Sequence, residues 1–201
     1  MGTIVVGATN LVHRVSYTEA VQPSVRKGKA AWRAWAETLP PVVESSAVVD
    51  PLRAFLAERS LAAYVLTFRP MAGEIDLDSL LHEYPCAVTR TWPRGRLTVH
   101  RADVEMERHR WGYLQPTANA PELPLDEIGA VLVPGVLFDR RGGRLGHGAG
   151  YYDRLLPRLP AGAILIGVTT SDRVVDELPT DAHDVRMTHV VTEQGVRTVG
   201  I

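Results

Sequence analysis

Cys86 is the single cysteine in 201 residues. No intrachain disulfide can form and no thiolate metal cage can be built, a usage that suits a reducing compartment. An excess of either charge is missing too, since 22 Lys and Arg against 23 Asp and Glu leave a formal net charge of −1. A nucleic-acid partner would demand a basic excess, so none is expected. No apolar run is long enough to span a bilayer, and the apolar residues Ile4 to Val6 have no basic residue before them, unlike a secretory signal. The GxxxxGK[ST] phosphate loop is absent, as are internal repeats and linkers. What these absences leave is a cytoplasmic protein that meets small molecules, with no nucleic acid and no membrane partner, expected as a monomer or weak homodimer.

The 45% hydrophobic content suffices for one substantial core. Ser24 can cap a helix over residues 24–39, which Pro40-Pro41 stops, and a second amphipathic helix is expected over 45–59. Strands are expected over 61–68, 86–92, 97–106, 130–133 and 163–169, with a terminal hairpin over 189–193 and 196–201. A helix is expected over 76–83, a long loop over 116–124, an irregular or helical link over 171–178 and a short strand within 2–8. This alternation predicts a single α/β domain with a largely parallel central sheet flanked by helices. Residues 1–23 are expected as an N-terminal extension to a domain over 24–201.

Residues 129–158 carry the chemistry. The apolar run 130–133 ends at Pro134-Gly135, and residues 139–150 then hold five glycines among Arg140, Arg141, Arg144 and His147. Tyr151, Tyr152, Leu155 and Leu156 follow at helical spacing. Glycines let successive backbone N–H groups converge on an anion, helped by the positive end of a following helix. Arginines add donors matched to phosphate oxygens, and Asp153 could hold a divalent cation. By spacing alone, the stretch is either a flexible connection with Asp153 at a helix start or a nucleotide phosphate site.

Pro134, Gly135, Phe138, Asp139, Gly143, Arg144, Leu145, Gly146, Gly148, Gly150, Tyr151, Tyr152 and Asp153 stand in unbroken register with a longer signature. In these residues the chain resembles the 5-formyltetrahydrofolate cyclo-ligase (5,10-methenyltetrahydrofolate synthetase) family, a likeness that covers about residues 24–197. The resemblance implies ATP-dependent cyclisation of 5-formyltetrahydrofolate through phosphorylation of the formyl oxygen, with ATP and Mg2+ as cofactors and a reduced folate as substrate. It implies that Lys29 and Arg33 reach the ATP phosphates. Arg144, Leu145, Gly146, His147, Gly148, Ala149, Gly150, Tyr151 and Tyr152 would then surround the nucleotide, with Arg144 and Tyr151 catalytic. Met71, Glu74 and Tyr151 would hold the folate, and Asp153 and Asp184 the magnesium. Gln115 and Gly129 stand where the family carries carboxylates. The same residues would also serve a paralogue acting on a different formamide or carboxamide, or a nucleotide- or folate-binding protein without turnover.

Overall fold

A computed structural model describes residues 21–41, 44–59, 61 and 64–199. The strand expected within residues 2–8 lies outside them. The described chain opens with a short 3-10 turn, Val25–Lys27, and then helix α1, Gly28–Ala36. The single helix expected from Ser24 is broken here because Gly28 takes φ +72°, and Ser24 makes no side-chain cap. Helix α2 is Ser46–Ala57.

Twelve strands follow among the described residues, numbered along the chain. They are β1 (Tyr64–Thr67), β2 (Cys86–Thr91), β3 (Leu97–Arg101), β4 (Met106–Arg108), β5 (Leu114–Pro116) and β6 (Ile128–Pro134). Beyond these lie β7 (Leu137–Asp139), β8 (Arg144–Leu145), β9 (Ile164–Val168), β10 (Val174–Val175), β11 (His189–Thr192) and β12 (Gly195–Thr198). Helix α3, Tyr151–Leu155, lies between β8 and β9.

A 7-stranded sheet in the order β12-β11-β9-β6-β1-β2-β3 organises the molecule. Strands β2, β1, β6, β9 and β11 run parallel, with β3 and β12 antiparallel at the two edges. In β6, Ala130, Val131, Leu132 and Val133 are all fully buried, the continuous apolar run that a strand covered on both faces requires. On one face Val48, Val49, Leu52 and Leu56 of α2 pack against Val65, Leu132, Ile166 and Val191. On the other, Leu155 and Leu156 join Leu66, Val131, Val133 and Phe138.

Three expectations are corrected. The strand expected over 97–106 is two strands, because the chain turns at Ala102-Asp103 and β4 pairs with β5 in a separate hairpin. The helix expected over 76–83 is a 3-10 helix, Asp78–His82, started by the Asp76 carboxylate accepting the Asp78 N–H at 2.9 Å. The expected glycine loop over 139–150 is half regular, since β7 and β8 pair across Asp139–Arg144 and β10 adds to β7. Trp32 and Ala36 of α1 bury themselves on this small sheet against Leu137, Leu145, Val175 and Leu178, which sets α1 beside the glycines that remain.

Asp139 holds that arrangement. Its carboxylate is 2% exposed; Oδ1 accepts the N–H groups of Arg141 (2.8 Å) and Gly143 (2.7 Å), and Oδ2 accepts that of Leu178 (3.0 Å). A Cβ on Gly143 would lie 2.3 Å from Asp139 Oδ2, so the turn admits only glycine there. Asp139→Ala orphans three backbone donors and is expected to cost about 3 kcal/mol. Urea unfolding checks this, and an unchanged midpoint would show that the carboxylate does not organise the turn.

Candidate active site

Phe68 and Arg69 follow β1, Thr91 ends β2 and Pro134 ends β6, and these C-terminal strand ends border a cavity of ≈ 390 Å³. The remaining glycine loop, from Gly146 to Gly150, closes another side, with Gly148 at φ +100° and Gly150 at φ +67°. Tyr151, Trp111 and Tyr113 supply aromatic wall: the Trp111 and Tyr151 rings meet edge to face with centroids 6.5 Å apart. Flat, ring-walled spaces of this kind suit a flat heteroaromatic ligand.

A second cavity of ≈ 540 Å³ lies beside α1, where Ala36, Pro134, Val136, Thr169 and Arg173 line it. Arg33, Phe68, Glu74, Pro134 and His147 belong to both walls. Glu74 Oε1 lies 3.6 Å from His147 Nε2, and its other oxygen accepts the Met71 N–H at 2.9 Å. The two spaces therefore meet across a carboxylate and an imidazole.

Most residues singled out from the sequence converge here. Arg33, Met71, Glu74, Arg144, Gly146, His147, Gly148, Ala149, Gly150, Tyr151, Tyr152 and Asp153 all line the first cavity. Arg33 Nε donates to the Gly146 carbonyl at 2.7 Å, which fixes one end of the loop. Arg144, with a side chain 7% exposed, donates to the Pro134 carbonyl at 3.2 Å and to Asp153 Oδ1. The Tyr152 hydroxyl is buried, which pushes its pKa well above the ordinary phenol range, so Tyr152 contributes its ring to the wall.

Other residues singled out from the sequence are held in contacts of their own. The Leu145 side chain is 1% exposed and packs under α1, so only its backbone is left to face a ligand. Asp153 is paired with Arg144, whereas Asp184 is paired with Lys29. Lys29 Nζ lies 2.7 Å from Asp181 Oδ2 and 2.7 Å from Asp184 Oδ2. Asp181, His183 and Asp184 place one ligand atom each within 4.8 Å of one another, and the Lys29 ammonium bonds to both carboxylates. The helix dipole expected behind the loop is small, because α3 has five residues before it tightens into 3-10 form at Leu156–Arg158.

Gln115 lies away from the cavity. Its Oε1 accepts the Thr91 N–H at 3.1 Å and its Nε2 donates to Glu107 Oε1 at 3.2 Å, while Arg90 Nη1 donates to the same oxygen at 2.6 Å. A carboxylate at 115 would face Glu107 with no proton to give. The amide thus ties the β4–β5 hairpin to β2. Arg69, Thr89 and Thr91 line the cavity without having been singled out from the sequence, and Trp111, 48% exposed, lines it too. Their signal was positional, since Arg69 and Thr91 stand at the C-terminal ends of parallel strands.

An α/β sheet whose strand ends open on two adjoining spaces, one ring-walled and one bordered by arginines, defines a small-molecule-binding protein of the parallel-sheet class. The chain belongs to the 5-formyltetrahydrofolate cyclo-ligase family, which it matches over residues 54–193. It is 49% identical over 75 residues to the 5-formyltetrahydrofolate cyclo-ligase of Mycolicibacterium smegmatis, a match covering 36% of this chain and 39% of the relative. The Escherichia coli K12 cyclo-ligase is 27% identical over 147 residues, covering 68% of this chain and 81% of the relative. Matches to the Mycolicibacterium smegmatis and Haemophilus influenzae enzymes span 39% and 46% of those proteins' own length, less than half in each case. The NMR structure of Aquifex aeolicus 5,10-methenyltetrahydrofolate synthetase superposes with a TM-score of 0.73 at 28% identity, covering 86% of this chain and 93% of that one.

The Lys29–Asp184 pair sets a pH dependence. Burial works against both charges, but hydrogen bonds to Asp181 and Asp184 more than offset it at Lys29, leaving its pKa raised, and the Lys29 bond and the Asp181 N–H leave that of Asp184 lowered. The lowered carboxylate gives stability that is present above about pH 4 and lost as pH falls through its folded value. The raised ammonium gives stability present below about pH 10 and lost as pH rises through its own. Asp184→Asn is therefore expected to flatten the acid limb of a melting-temperature profile between about pH 5 and pH 3. A variant with the parental slope there would show that the pair contributes nothing.

Proposed function

We propose that this protein closes the 5,10-methenyl ring of 5-formyltetrahydrofolate at the expense of ATP. The observation that carries the reading is the pair of cavities sharing Arg33, Glu74 and His147, which gives two substrates separate rooms and one common wall. The ring-walled cavity suits the pterin, with Tyr151 and Trp111 as aromatic wall and Glu74 orienting its polar edge. Membership of the cyclo-ligase family and the likeness to a methenyltetrahydrofolate synthetase support the same substrates.

A formamide oxygen is a poor leaving group, and the chemistry has to improve it. The formyl oxygen attacks the γ-phosphorus, ADP leaves, and N10 then attacks the activated formyl carbon. Phosphate departs with the former formyl oxygen, N10 gives up its proton, and the methenyl cation remains. The protein's task is to hold the reacting atoms in line and neutralise phosphoryl charge in a space that excludes water.

Arg33 is the cation best placed for the phosphates, because it stands in both walls and uses Nε on Gly146, which leaves the rest of its guanidinium for a ligand. Arg144 is pinned to Pro134 and Asp153 and acts as a fixed charge beneath the loop. Asp153 lines the cavity with a side chain 29% exposed, and one such carboxylate beside substrate phosphates fits the oxygen ligation magnesium prefers. Bound there, the ion would neutralise charge on the transferring phosphoryl group. Asp184 instead keeps Lys29 in place.

The test is direct: 5-formyltetrahydrofolate with Mg-ATP should produce the methenyl chromophore in the near ultraviolet, with ADP and phosphate in equal amounts. ATP binding without the chromophore, while another formamide is consumed, would replace the folate with a different substrate. A sharper expectation concerns the two basic residues of α1. Arg33→Ala should raise the KM for ATP by about tenfold or more, the value of a charge-assisted hydrogen bond, whereas Lys29→Ala, already neutralised by two carboxylates, should raise it less. Steady-state kinetics decide the order, and a larger effect at Lys29 would return the phosphates to that end of the helix.

A further inference from the structure

Arg33 anchors the glycine loop at Gly146, and a second arginine anchors its other end. Arg154 Nη2 donates to the Ala149 carbonyl at 2.5 Å, and its Nε donates to the Gly95 carbonyl at 2.9 Å. Gly95 belongs to the turn between β2 and β3, the strands that bring Thr89, Thr91 and Leu97 to the ring-walled cavity. One guanidinium thus joins the glycine loop to the β2–β3 turn while lining neither cavity.

The turn is shaped for this contact. Arg94 and Gly95 both take left-handed backbone angles, φ +61° and φ +78°, and Arg94 is the only non-glycine with positive φ among the described residues. Such a conformation costs a residue with a Cβ about 1 kcal/mol. A Cβ on Gly95 would lie 1.7 Å from Arg154 Nη2, so the guanidinium occupies the space a side chain would fill. At the other end, a planar trans peptide points its C=O and N–H in opposite directions. Holding the Ala149 oxygen on Arg154 therefore turns the Gly150 N–H away from Arg154, and fixes that donor at the close of the loop.

We propose that Arg154 is a positioning residue for the reaction, a brace that fixes the Ala149–Gly150 peptide and the gap between the glycine loop and the β2–β3 wall. It rests on the reading that the loop receives the phosphates of ATP, and the experiment separates the two. Arg154→Ala should raise the KM for Mg-ATP about tenfold, proportionately more than it raises the KM for 5-formyltetrahydrofolate. Arg154→Lys should recover the melting temperature but leave the KM raised, since one ammonium cannot span both carbonyls. Gly95→Ala should give the same KM defect by displacing the guanidinium, and the double variant should be no worse than either single one.

Hydrogen exchange over residues 146–150 without nucleotide supplies the independent measure, and Arg154→Ala should accelerate it. Accelerated exchange in a protein whose parent binds no Mg-ATP would leave the brace standing and remove the nucleotide reading. Unchanged exchange, parental KM in Arg154→Ala, or additive effects of Gly95→Ala and Arg154→Ala would each overturn the brace.

Discussion

A single buried carboxylate sets the frame on which the site depends. Asp139 binds three backbone N–H groups from two separate segments, Arg141–Gly143 and Leu178, and so closes the small sheet at its turn. That sheet is what α1 packs on, through Trp32 and Ala36. If the turn loosened, Arg33 on α1 and the loop it holds at Gly146 would move relative to each other. The glycine-rich stretch is therefore less a flexible strap than a taut span, regular up to Leu145 and held by guanidinium groups beyond it.

Cations in the site are divided between structure and ligand. Arg144 is committed to Pro134 and Asp153, Lys29 to Asp181 and Asp184, and Arg154 to two carbonyls. Each pairing holds backbone or helix in place; the carboxylates of Asp153, Asp181 and Asp184 also offset the charge of Arg144 and Lys29, whereas Arg154 keeps its charge outside both cavities. Arg33 differs because it gives one donor to the loop and faces both cavities. Counting basic residues near the glycine loop would overstate the positive field at the cavities, since, among the described residues, Arg144 and Lys29 are each matched by a carboxylate while Arg33 is not.

The parallel sheet was legible because its central strands are apolar without interruption: Ala130 to Val133 has no other plausible place than between two covered faces. The stretch from Pro134 to Asp153 was legible through its likeness to the family, since spacing alone left two alternatives open; in the structure its residues fix one another locally, as Asp139 and Gly143 do. The β4–β5 hairpin was not, since Met106–Arg108 is polar and mostly exposed, with no alternation to announce a strand. Nor was the pairing of Lys29 with Asp184, whose partners lie 155 positions apart and meet only because α1 docks on the small sheet. Gln115 shows the limit of likeness: its place in the motif suggested chemistry, whereas its hydrogen bonds assign it to a hairpin.

The threshold between the two rooms has a consequence for inhibition. Glu74 and His147 stand 3.6 Å apart where the ring-walled and arginine-bordered spaces meet, so one compound could occupy both by crossing between them. A flat heteroaromatic head joined by a short linker to an anionic arm would make its second contact intramolecularly, at an effective concentration set by the linker. Its selectivity would come from linker length and from crossing the Glu74–His147 threshold, which a compound confined to one space would meet from one side only.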